Sequence, residues 1–164
     1  MFELNHIKGV NMKPFSFVSI LCSLLFFTFS LKAEVPYQWE MSEVNFSYSA
    51  SNAYYACSYV ERKLTEYVLT LGGEVFSVRC SGGLPDLAPI FLTATINSAR
   101  FSESGPYVGV WLEQSLQIRD SCDINRRLLT NVLNHFETDG IHIRGICDGP
   151  SGRVTANFSI LLPN

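Results

Sequence analysis

Residues 57–80 read CSYVERKLTEYVLTLGGEVFSVRC and residues 122–147 read CDINRRLLTNVLNHFETDGIHIRGIC, and the match between them decides the fold. Cys57 is followed by Leu64, Val68 and Leu71, which lie 7, 11 and 14 residues on. Cys122 is followed by Leu129, Leu133 and Phe136 at the same offsets, which trace one face of an α-helix. Each run then passes a turn and a short β-rich segment, Val75 to Arg79 or Ile141 to Ile146, before its second cysteine. A glycine follows two residues after that cysteine in both, at Gly82 and Gly149. Self-similarity of this kind means that one supersecondary unit occurs twice.

In the first unit Ala53, Cys57, Val60, Leu64, Val68 and Leu71 make the apolar stripe, while Glu61, Arg62, Lys63 and Glu66 point to water. Gly72-Gly73 ends that helix. Its start reads two ways: Ser51-Asn52 as the cap, or Ser58 and Glu61 as a capping box. Asp120 is the expected N-cap of the second helix, and Asp123 suits its first turn. Capping accounts for both carboxylates.

Helix geometry then selects the disulfides. A helix of about 15 residues rises about 22 Å, and a returning strand of about 7 residues spans a similar length. Each strand therefore ends beside the first turn of its helix. The expected bridges are Cys57–Cys80 and Cys122–Cys147, ahead of the two other pairings that four cysteines allow. Their spacings of 23 and 25 match no common zinc site, and neither first cysteine stands in a C-x-x-C motif.

Period-two alternation supplies the other strands. Val44, Phe46 and Tyr48 alternate before the first helix; Ile90, Leu92, Ala94 and Ile96 follow the first repeat. Val108, Val110, Leu112, Leu116 and Ile118 share one parity, as do Val154, Ala156, Phe158 and Ile160. Phe76 and Val78 join the expected buried set, and Ser81-Gly82-Gly83 reads as a hairpin turn. The element order is β-α-β-β twice. This is an α+β fold, a disulfide-stapled tandem repeat whose six strands form one mostly antiparallel sheet with both helices on one face. Residues 34–164 read as a single domain made of two similar halves, about 42–103 and 106–162.

Residues 1–33 read as a signal peptide: Lys13, an apolar run from Phe15 to Phe29, and Ala33 at the cut. Met12 is an alternative start. The run falls short of the ~20 residues of a spanning helix, and Ser16, Ser19, Ser23 and Thr28 interrupt it, so no stable membrane insertion follows cleavage. Leu21 before Cys22 argues against lipid attachment. The segment has a bacterial look, which places the mature chain in the periplasm or outside the cell, where disulfides persist. The sequons Asn45-Phe46-Ser47 and Asn157-Phe158-Ser159 carry no weight in a bacterial protein.

The chain has 12 Lys and Arg against 15 Asp and Glu; without residues 1–33, 9 and 14 remain. That acidic balance argues against nucleic acid as the main partner, because phosphate binding needs a basic surface. No nucleotide fingerprint, serine-hydrolase elbow or zinc-protease motif occurs, and no cofactor or metal is expected. His135 falls near the end of the second helix, where the dipole favours an imidazolium. His142 is the sole candidate for a general base.

Two functions fit. One is a non-catalytic exported module that binds a protein, a peptide or an envelope polymer. The other is a small secreted hydrolase with a site assembled in space around His142. Strand parity assigns Ser77, Arg79, Thr93, Thr95, Asn97, Trp111, Glu113, His142, Arg144, Thr155, Asn157 and Ser159 to a polar face away from the helices. On it Trp111, Arg79, His142 and Arg144 are the candidate binding residues, with Trp111 as an isolated anchor.

Overall fold

Each cysteine-bounded segment forms the helix and the strand that its periodicity asks for. In the computed structural model, which describes residues 34–49, 55–84, 86–148 and 150–164, these are α1 (Cys57–Thr70) with β2 (Glu74–Gly83), and α2 (Cys122–Leu133) with β5 (Thr138–Asp148). Around them lie β1 (Glu34–Tyr48), β3 (Ala88–Phe101), β4 (Tyr107–Ile118) and β6 (Ser151–Pro163). The segment read as a signal peptide, Ala53 and the expected Ser51-Asn52 cap lie outside the described residues.

The six strands form one sheet in the order β2-β3-β1-β4-β6-β5, and every strand pair is antiparallel. Within each half the third strand lies between the first and the second. The halves join where β1 and β4 start, through Glu34↔Val110 to Tyr37↔Tyr107. Both bridges follow the repeat, Cys57–Cys80 and Cys122–Cys147, with Cα atoms 5.5 and 5.4 Å apart.

One core serves both halves. From the sheet come Val44, Phe46, Ile90, Leu92, Ala94, Ile96, Val154, Ala156, Phe158 and Ile160; from the helices come Val60, Leu64, Val68, Leu128, Leu129 and Leu133. All the sheet residues named share one side, so both helices cover that side. Phe136 completes the α2 stripe from the turn beyond the helix and is buried. At the end of α1 the N–H of Gly72 donates to Leu69 O (3.1 Å) and that of Gly73 to Val68 O (2.9 Å). With Gly72 at φ +76° this is the glycine-dependent stop that the sequence predicts.

The helix starts differ from the reading above. Ala56 caps α1 and Ser121 caps α2, neither through a side chain, and Ser58 sits inside α1. The backbone substitutes: the Cys122 N–H, free at the start of α2, donates to Pro150 O at 3.0 Å. Ser121 takes φ 47° to make that turn. Asp120 contributes its carbonyl, which accepts from Asn125 Nδ2 at 2.7 Å. Asp123 lies in the first turn as expected; its carboxylate accepts from Tyr48 Oη of the other half (3.2 Å) and from Arg127 Nε one turn on in α2 (3.3 Å).

Two strand assignments also change. Phe76 falls in a bulge between Val75↔Ile96 and Ser77↔Thr95, and is 58% exposed instead of buried. Gly82 and Gly83 lie within β2, where a second register shift follows Ser81; the chain turns after them.

The tyrosines give a pH dependence. Burial, then the Asp123 carboxylate, pushes the Tyr48 phenol up to about 12, and burial raises Tyr37, Tyr55 and Tyr67. A raised phenol favours the folded state only while the unfolded chain keeps its own tyrosines protonated. That stability is whole below the ordinary value near 10 and drains as pH climbs from there through 12. Melting temperature should therefore fall over that window, with ionisation of Tyr48 and Tyr67 accompanying unfolding. Ionisation of Tyr48 or Tyr67 in a still-folded chain would contradict it.

Candidate binding surface

On the side away from the helices, the strands present rows that the ladder register defines. In the first half Arg79 on β2 faces Thr93 on β3, which faces Asn45 on β1. Thr93 Oγ1 donates to Asn45 Oδ1 at 3.2 Å, and Asn45 Nδ2 donates to Glu43 Oε1 at 3.1 Å. In the next row Ser77 Oγ donates to Thr95 Oγ1 at 3.2 Å. The second half repeats the pattern with His142, Asn157 and Ser115, then Arg144, Thr155 and Gln117. Each half holds an open groove on this side. One of about 200 Å³ touches Asn45, Ser47, Phe91 and Thr93, and one of about 480 Å³ touches Glu113, Ser115, Asn157 and Ser159. The sequence-based parity assignment is right for these flanks.

The centre is different. Where β1 meets β4, Tyr37, Ala99 and Leu161 are buried in a second apolar cluster, with Val35, Trp39 and Trp111 half-buried against them. Tyr37 faces Phe101 on one neighbouring strand and Tyr107 on the other. The Tyr37 ring stacks at a tilt on Tyr107, centroids 5.5 Å apart, and meets Trp39 edge-on at 5.8 Å. Met41, Phe101 and Tyr107 project from this patch and are exposed. Trp111 is therefore one member of an aromatic group, not an isolated anchor on a polar face. The cause is β1, which begins at Glu34, ten residues before the expected Val44, and brings Tyr37, Trp39 and Met41 onto this side. The alternation Val35, Tyr37, Trp39, Met41 is the signal that carries them.

The four candidate residues do not meet. β2 and β5 are the two edges of the sheet, with four strands between them, so Arg79 stands at one margin and the pair His142 and Arg144 at the other. His142 lies exposed on an edge strand opposite Asn157, and among the described residues no hydrogen bond reaches its ring. His135 lies in the turn after α2, where burial and the neighbouring Arg100 charge lower its pKa and favour the neutral ring over the expected imidazolium. No cluster of His, Cys, Asp and Glu suited to a metal occurs among the described residues, and no helix among them is long and apolar enough to cross a membrane.

The chain matches no protein-family model, no curated protein and no solved structure.

Proposed function

We propose that this protein is an exported, non-catalytic binding module that takes a protein, peptide or envelope polymer on the helix-free side of its sheet. The observation that carries the reading is the aromatic patch at the β1–β4 junction, with Phe101, Tyr37 and Tyr107 in one row beside Trp39 and Trp111. Large aromatic side chains left partly in water are expensive unless a partner covers them, and Trp and Tyr dominate the energetics of such contacts. Trp111 sits in the patch, with Arg79 at one margin of the face and His142 and Arg144 at the other. The polar rows between supply hydrogen-bonding groups for the length of an extended partner. Two disulfides fit the oxidising periplasm or the exterior, as the N-terminal segment does.

Trp111→Ala and Tyr107→Ala test this in a pull-down from the producing cell with the folded protein as bait. Tyr107 is exposed, so its truncation should leave the melting temperature within a few degrees while partner recovery collapses. Trp111→Ala should lose recovery too, with a stability cost of about 1–2 kcal/mol for its half-buried ring. Full recovery with both variants overturns the reading.

A further inference from the structure

The two edges of the sheet are protected unequally. β2 breaks its ladder twice, between Val75 and Ser77 and between Ser81 and Gly83. β5 shifts once, between Asp139 and His142, and then runs in unbroken register with β6 from His142 to Asp148. Edge strands carry a row of unpaired N–H and C=O groups, which proteins usually blunt with lysine, proline or bulges. The stretch HIRGICD contains neither residue, and among the described residues no backbone hydrogen bond from outside the sheet reaches it. Its helix-free side carries Arg144, Ile146 and Asp148 in succession. Ile146 is 81% exposed, more than any other large apolar residue among those described. Arg144 and Asp148 are exposed and take part in none of the ion pairs among the described residues.

We propose that β5 pairs antiparallel with β5 of a second copy about a two-fold axis at Ile146. In that register Ile146 meets Ile146 of the second copy, and Arg144 meets Asp148 of the second copy on both sides of the axis. Directly opposed residues on one face of an antiparallel pair interact, and opposite charges there stabilise. The arrangement is isologous, as a closed dimer requires. Other registers lose the match: an axis at Arg144 opposes two guanidiniums, and one at Asp148 opposes two carboxylates. On the helix side Gly145 falls opposite Cys147 of the second copy, so no bulky side chain obstructs the approach. The pairing makes one continuous sheet and sets the helix-free faces of two copies side by side. It shares Arg144 with the margin of the proposed binding face but does not depend on what the aromatic patch binds.

The test is sedimentation velocity of the disulfide-bonded protein from about 1 μM to about 1 mM, since one edge pairing buries little side-chain area and supports a dissociation constant in the micromolar range. Arg144→Asp alone, or Asp148→Arg alone, opposes like charges at both ends and should weaken the dimer by at least about tenfold. The exchange of both, Arg144→Asp with Asp148→Arg, should restore it to within about threefold. Ile146→Lys should dissociate it with no loss of melting temperature, because that side chain is already in water. A monomer over the whole range overturns the proposal. So does a dimer indifferent to the single reversals, or one that the double exchange fails to restore. A dimer lost in Tyr107→Ala but kept in Arg144→Asp would place the contact on the aromatic patch, and the edge pairing would be wrong.

Discussion

Replacing Cys122 and Cys147 together by alanine should destabilise the protein by about 3–5 kcal/mol, more than the same change at Cys57 and Cys80. The bridges close similar loops, with sequence separations of 25 and 23, so the chain-entropy contribution is about 3.5 kcal/mol for either. The difference lies in what surrounds the sulfur atoms. Cys122 is wholly buried in the shared core at the first residue of α2, and truncating it leaves a void. Cys57 is half-buried at the outer end of α1, where the loss is mainly the cross-link. Cys147 has a second task, since it ties edge strand β5, which has one ladder neighbour and mostly exposed side chains, to α2. Urea unfolding of the two double variants measures this directly. Losses under about 1 kcal/mol would mean that the bridges decorate a fold already held by its core.

What could be read from the chain was local or repeated. The Cys57 and Cys122 offsets gave both helices, the bridges and the element order, because each depends on contacts within one unit of about 25 residues. Gly72-Gly73 was legible because a left-handed helix end has a residue preference of its own. The helix starts were not, since the group that satisfies α2 comes from Pro150 and Asp123 is held in part by Tyr48 from the other half. Asn125 likewise donates to Tyr59 Oη at 2.8 Å, across 66 residues of sequence. The candidate surface was half legible. Parity sorted Arg79, His142 and Arg144 onto the right side of the sheet, but strand order put them at opposite edges, and no local pattern encodes strand order. The aromatic centre is the illegible part, because β1 extends back to Glu34 past the plain alternation that starts at Val44.

Phe158→Ala and Phe76→Ala should separate by about 3 kcal/mol or more, although strand parity alone treats the two alike. Phe158 lies on β6 opposite Gln114 and is 4% exposed, with its ring in the shared core beneath the helices. Truncating a buried phenylalanine removes its transfer energy and leaves a cavity that rigid neighbours fill only in part, a loss of about 3–5 kcal/mol. Phe76 sits at the bulge of edge strand β2 and is 58% exposed, so its truncation should cost no more than about 0.5 kcal/mol. The bulge explains the contrast. One extra residue between Val75 and Ser77 lets Val75 keep the helix side and Ser77 the other, and Phe76 is left without a partner in the ladder. A single inserted residue thus breaks the period-two rule at one position while preserving it on both sides, as Val78 and Cys80 show by packing against the core. Equilibrium unfolding of the two variants decides the matter. If Phe76→Ala costs as much as Phe158→Ala, β2 runs without that bulge and its register with β3 is shifted.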